Sequence, residues 1–238
     1  MVKKKNICSI KVFKKLHIKC FIIMEEIPEE FFLCEEYTLF NESLGEYTQE
    51  FYALKSACTD YDLTGQVIWP GAKILSQYLL ENQHKLQDKD LLEVGSGSGF
   101  TGLFCSHFAR KVVLSDGNDI VLRLLEKNKV FGHCPIFVCK IEWNEDNSAA
   151  ELESKELPIK YPVIIGSDVI YSIDAVIPLF NTINKHLEND GEFIMCYTNR
   201  AMNNYRVLLE ESEKLGFSHE VLWNELNVYL YSFKKINN

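Results

Sequence analysis

No two of the eight cysteines form a C-x-x-C pair, which removes the usual zinc and thiol-redox signatures. Cys8, Cys20, Cys34, Cys58, Cys105, Cys134, Cys139 and Cys196 are scattered, several inside apolar runs such as Met195-Cys196-Tyr197. Reduced, buried thiols in a cytoplasmic or nuclear protein are therefore expected, with no metal. No apolar run is long enough to cross a bilayer, so no membrane partner is expected. Internal repeats are absent. Residues 1–23 contain no acid and no arginine but seven lysines: Lys3, Lys4, Lys5, Lys11, Lys14, Lys15 and Lys19. The stretch Cys20-Phe21-Ile22-Ile23 is too short for a secretory core, and a mitochondrial presequence usually relies on arginine. Residues 1–23 are therefore expected to be a disordered extension, with Met24-Glu25-Glu26-Ile27-Pro28 reading as a natural start. With a net charge of -9 overall, the rest of the chain carries -16. That balance argues against a nucleic-acid partner and favours one with a basic surface.

Against these absences stands Leu91-Leu92-Glu93-Val94-Gly95-Ser96-Gly97-Ser98-Gly99. It predicts a buried strand ending in a turn whose backbone can approach a ligand closely. Such a turn opening a helix is a site for a nucleotide-like cofactor.

The remaining pattern predicts an α/β fold. Thr48–Leu54 and Tyr61–Trp69 read as strands, and Pro70 opens a helix. Further strands are expected at Leu91–Val94, Lys111–Ser115, Ile136–Ile141, Tyr161–Gly166 and Glu192–Tyr197. Helices are expected over 101–109, 119–130, 174–187 and 203–215, the last stopped by Gly216. Residues 144–158 read as an acidic loop and Asp190-Gly191 as a turn. His219–Trp223 and Asn227–Phe233 read as a hairpin. The alternation implies a parallel sheet covered by helices on both faces, with ligands at the carboxyl ends of its strands. The divisions read as the leader 1–23, a strand and loop region 24–60, and the main domain 61–238.

Two cofactors fit the turn. Gly97-Ser98-Gly99-Phe100-Thr101-Gly102 satisfies G-x-G-x-x-G, and Asp116 lies where an acid would bind a ribose hydroxyl. The same residues also read as Glu93-x-Gly95-x-Gly97-x-Gly99 with the acid inside the strand. Asp116 marks an adenosine ribose in either case. Ser167-Asp168-Val169-Ile170-Tyr171 places a carboxylate and a phenol after the fourth of the alternating strands. Trp143 ends the third and can lie against a flat adenine ring. Each also has an ordinary explanation: Asp168 as a helix cap, Tyr171 as rim packing, Trp143 as core.

Five segments occurring in order carry a resemblance: Gln66-Val67-Ile68-Trp69-Pro70-Gly71, the glycine turn, Leu114-Ser115-Asp116-Gly117-Asn118, Glu142-Trp143, and Ser167-Asp168-Val169-Ile170-Tyr171. Over roughly residues 45–235 the chain resembles the seven-β-strand, S-adenosylmethionine-dependent protein methyltransferases of methyltransferase family 16. The fold this implies is a Rossmann-like, seven-stranded, mostly parallel sheet with a C-terminal antiparallel hairpin and helices on both faces. The implied activity is methylation of a lysine in a non-histone protein such as a translation factor, calmodulin or a chaperone. The implied cofactor is S-adenosylmethionine, and a monomer is expected.

Carried over residue by residue, the resemblance puts Trp69 beside the methionine end and Glu93, Gly95, Ser96 and Gly97 around it. It puts Asp116 on the ribose, Trp143 against the adenine and Ser167 at the cofactor. Asp168 and Tyr171 would be catalytic, facing the acceptor amine. Nucleobase methylation is disfavoured, because Val169 and Ile170 stand where such enzymes carry two prolines. A small-molecule amine and a protein arginine stay open as acceptors. Outside methyl transfer, an NAD(P)-binding oxidoreductase and an inactive adaptor stay open. Arg200, closing Tyr197-Thr198-Asn199-Arg200, is expected to contact substrate or to pair with a surface acid.

Overall fold

The computed structural model describes residues 37–56, 64–143, 145, 147–200 and 204–236. The basic leader, the expected start at Met24, and Cys8, Cys20, Cys34 and Cys58 lie outside the described residues. Two strands, β1 (Thr38–Leu44) and β2 (Tyr47–Ala53), form an antiparallel hairpin. Helix α1 (Pro70–Glu81) follows. Then come β3 (Asp90–Val94), α2 (Phe100–Cys105), β4 (Lys111–Asp116), α3 (Asp119–Asn128) and β5 (Ile136–Lys140). Next are α4 (Ser148–Ser154), β6 (Tyr161–Ser167), α5 (Val176–His186) and β7 (Leu187–Thr198). Helix α6 (Asn204–Lys214) and the strands β8 (Phe217–Glu225) and β9 (Val228–Lys235) complete the order.

The seven strands β3 to β9 form one sheet in the order β5-β4-β3-β6-β7-β9-β8. Contacts among β3 to β7 are parallel, and β9 pairs antiparallel with both β7 and β8. All five residues of β3 are buried, as a central strand covered on both faces requires. Strand alternation sends Leu92, Val94 and Ile164 into one apolar layer and Leu91, Val112 and Ile165 into the other. From β3 the chain winds through β4 and β5 on one side, then through β6 and β7 on the other. The carboxyl ends of β3 and β6 therefore flank the crevice where strand order reverses, the usual ligand position in such sheets.

Local chemistry sets the helix starts around that crevice. Pro70 opens α1 after an extended Trp69, and Gly99, at φ +79°, precedes α2. The Asn118 side chain accepts from the N–H groups of Ile120 (2.8 Å) and Val121 (3.3 Å) and so caps α3.

Three sequence-based expectations are corrected. Thr64 is helical and residues 65–69 are a turn and loop, not a strand; Tyr61–Leu63 lie outside the described residues. Here Gly65 bends the chain across the glycine turn, and the Trp69 Nε1–H donates to the Thr64 carbonyl (2.9 Å). The acidic loop contains helix α4, because Leu152 is fully buried and Glu151 pairs with Lys155 at the i,i+4 spacing (3.0 Å). Asp190-Gly191 lies within β7, where a break in register against β6 absorbs the extra residues.

Candidate active site

A cavity of about 650 Å³ opens at the carboxyl ends of the central strands, within the roughly 300–1,000 Å³ typical of small-ligand sites. Its floor is the glycine turn. Gly95 (φ +59°) and Gly97 (φ +54°) hold left-handed backbone that side chains resist. A Cβ on Gly95 would stand 2.8 Å from Val169 Cγ1, and one on Gly97 would stand 2.8 Å from the Gly65 carbonyl oxygen. Ser96 pins the turn to β4: its N–H donates to the Ser115 carbonyl, and its Oγ accepts from the Ser115 N–H, both at 2.9 Å.

Glu93 lies behind this floor and does not line the cavity. Its carboxylate accepts from the Gly102 N–H (3.1 Å) at the start of α2. Burial pushes the Glu93 carboxyl up to about 8, outweighing that N–H. Asp116 does line the cavity, at the end of β4. Its Oδ2 accepts from the Gly97 N–H (3.2 Å) and its Oδ1 from the Asn118 N–H (3.0 Å). Each oxygen keeps a further lone pair, so the carboxylate can also receive two vicinal hydroxyls. Burial raises the Asp116 carboxyl from its ordinary value, against the N–H groups of Asn118, Gly97 and Gly117. Trp143, half-buried beyond β5, lines the same end.

The other end is built around charge. Asp168 follows β6 in left-handed backbone (φ +52°), an uncommon state for a residue with a side chain. Its N–H donates to the Cys196 carbonyl (2.9 Å), and its Oδ2 accepts from the Gly71 N–H (2.9 Å). Only 3% of the side chain is exposed, and Oδ1 has no hydrogen bond. Arg200 Nη2 stands 3.6 Å from Oδ1, an ion pair too long to be a hydrogen bond. The Arg200 guanidinium also lies over the Trp69 ring, 4.7 Å from its centroid. Ser167 and Tyr171 line this end as well, Tyr171 at the exposed rim.

The structure thus brings Trp69, Gly95, Ser96, Gly97, Asp116, Trp143, Ser167, Asp168 and Tyr171 to one cavity and sets Glu93 behind it. Sequence reasoning missed two partners. Arg200 pairs with the buried Asp168, not with a surface acid. Gly71 must be a glycine, because a Cβ there would stand 2.5 Å from Asp168 Oδ2. Its place after Pro70 was visible, but its contact was not.

The residues present fit S-adenosylmethionine. The left-handed glycines leave a cradle that a Cβ would fill, and the carboxylate at the end of β4 suits a ribose.

Comparison with known proteins agrees. The chain is 27% identical to the mouse protein-lysine N-methyltransferase EEF2KMT, over 72% of this chain and 54% of that one. It is 32% identical to the Xenopus laevis histone-arginine methyltransferase METTL23, over 58% of each. It spans about half the length of the curated relatives it matches. Among solved structures, the T. Thermophilus 16S rRNA N2 G1207 methyltransferase RsmC, in complex with AdoMet and guanosine, superposes with a TM-score of 0.60. That match has 14% identity and covers 84% of this chain and 51% of the other, a likeness of fold. The family model Methyltransf_16, described as lysine methyltransferase, matches residues 54–214, and the chain belongs to that family.

Proposed function

We propose that the chain binds S-adenosylmethionine in this cavity and methylates a lysine side chain of a protein in the cytoplasm or nucleus. One observation carries the reading: the glycine turn and Asp116 share a cavity with a separate charged centre, Asp168 and Arg200, at the end of β6. A nucleotide site alone does not need the second centre; a transfer site does.

The cofactor supplies a methyl group on a sulfonium, open to in-line displacement by a nucleophile. The protein supplies orientation and exclusion of water. The backbone at Gly95 and Gly97 allows close approach, and Ser96 and Glu93 hold that backbone in place. Asp116 receives the ribose hydroxyls, Trp143 flanks the adenine, and Trp69 and Ser167 border the methionine end. Asp168 acts as a positioning residue, holding Gly71 and hence Trp69 on one side and Arg200 on the other. Tyr171 forms a wall where the acceptor enters. An acceptor protein with a basic surface suits the acidic body.

The test is incubation of the chain with tritiated S-adenosylmethionine and a cell lysate, followed by hydrolysis of the labelled band. Methyl-lysine is the expected product. Label confined to arginine or to small amines, or no label at all, would overturn the reading.

A further inference from the structure

The charged end of the cavity has a consequence for the acceptor. We propose that Arg200 selects the chemical class of the methyl acceptor, admitting an amine that sheds its proton on entry and refusing a permanently charged guanidinium. This rests on reading the cavity as a methyl-transfer site.

The Arg200 guanidinium is fixed at two points, the Asp168 carboxylate at 3.6 Å and the Trp69 ring at 4.7 Å. Asp168 Oδ2 accepts from the Gly71 N–H, and Oδ1, buried and without a hydrogen bond, faces Arg200 across the 3.6 Å ion pair. One negative and one positive charge therefore balance here. An ammonium that enters meets a carboxylate whose charge Arg200 already balances and a cation already in place, which favours loss of its proton. A guanidinium cannot respond that way, because it keeps its charge in proteins.

The surrounding groups do not change this balance. The first turn of helix α1 contributes no acid, since Trp69, Pro70, Gly71 and Ala72 stand there. On β7, burial pushes the Cys196 thiol up to about 12 and raises the Tyr197 phenol, so neither supplies negative charge near neutral pH. Tyr171 stands on the rim. The other carboxylates lining the cavity, Asp116 and Glu142, belong to the β4 and β5 side, beyond β3.

The transfer balances as follows. The ammonium releases one proton to solvent at the exposed rim. The nitrogen lone pair then forms the N–C bond as the S–C bond breaks, and that bond's electron pair stays on sulfur. The sulfonium becomes a thioether, and the product leaves as a methylammonium that keeps its charge.

The test compares the chain with its Arg200→Gln and Arg200→Lys variants, using tritiated S-adenosylmethionine and the acceptor band from the lysate, from pH 6 to 10. Titration with S-adenosylhomocysteine verifies folding, and Arg200→Met replaces the Gln variant if that fails to bind. Without the cation, Asp168 holds the acceptor's ammonium, so the midpoint of the rate profile rises by about one pH unit. At pH 7 labelling then falls about tenfold, while the acceptor protein binds the homocysteine complex more tightly. Arg200→Lys keeps the original midpoint. An unmoved midpoint in Arg200→Gln, or wild-type labelling of arginine as readily as lysine, would overturn the proposal. Loss of labelling in both variants at every pH, with homocysteine affinity intact, would overturn it too. A wild-type chain that labels nothing would instead remove the reading on which the proposal rests.

Discussion

The two ends of the cavity are made by different means. On the β3–β4 side the wall is backbone: Gly95 and Gly97 in left-handed conformation, closed by hydrogen bonds between Ser96 and Ser115 and from the Gly97 N–H to Asp116. On the β6–β7 side it is side-chain charge, with Asp168 joining Gly71 at the start of α1 to Arg200 beyond β7. The first arrangement is short-range and rigid, suited to a constant ligand such as a cofactor. The second joins three segments far apart in sequence and reaches solvent at Tyr171 and Arg200, which suits the protein acceptor we propose. Binding and transfer should therefore come apart under mutation.

The widest separation is expected from Asp168→Ala. Releasing Gly71 and Arg200 together should misplace the acceptor and cut methyl transfer by about a hundredfold or more. Affinity for S-adenosylhomocysteine should stay within a few-fold by calorimetry. A parallel loss of both would merge the two ends into one. From the other side, Gly97→Ala should strain the turn and press on the Gly65 carbonyl. That costs about 3 kcal/mol, or about a hundredfold in homocysteine affinity. A milder change, Asp116→Asn, should weaken the same affinity about tenfold through the lost charge-assisted hydrogen bonds. Labelling by this variant should recover at saturating cofactor.

A separate effect concerns Glu93 and stability. Its carboxyl is raised from the ordinary 4.5 to about 8 in the folded chain. Between those values the folded state keeps a proton that the unfolded state has released. Stability therefore falls as pH rises through that window, by at most about 1.4 kcal/mol per pH unit. Asp116 is raised as well and adds with the same sign. Denaturant midpoints measured from pH 5 to 8 should decline for the wild-type chain and decline less for Glu93→Gln. Equal slopes would show that Glu93 is ionised in the folded state.

The same contrast explains what the sequence revealed. The glycine turn and Asp116 were legible because a strand, a turn and the end of the next strand are local patterns with fixed geometry. The C-terminal hairpin and the helix at Pro70 were legible for the same reason. Arg200 was not, because its partners Asp168 and Trp69 meet it only once β6, β7 and α1 have packed. Residues 64–69 alternate like a strand, yet among the described residues they join no strand and instead pass beside the glycine turn. Helix α4 was hidden by its acidic residues, its decisive feature being the burial of Leu152. Glu93 was visible as part of the motif, but strand alternation turns its side chain toward Gly102, behind the turn.

The central claim is that the backbone-built end of the cavity is a site for S-adenosylmethionine. Calorimetric titration of the chain with S-adenosylhomocysteine and, separately, with NAD tests it most directly. Saturable one-site binding of the homocysteine and none of NAD is the predicted result. Binding of NAD alone, or of neither, would contradict it.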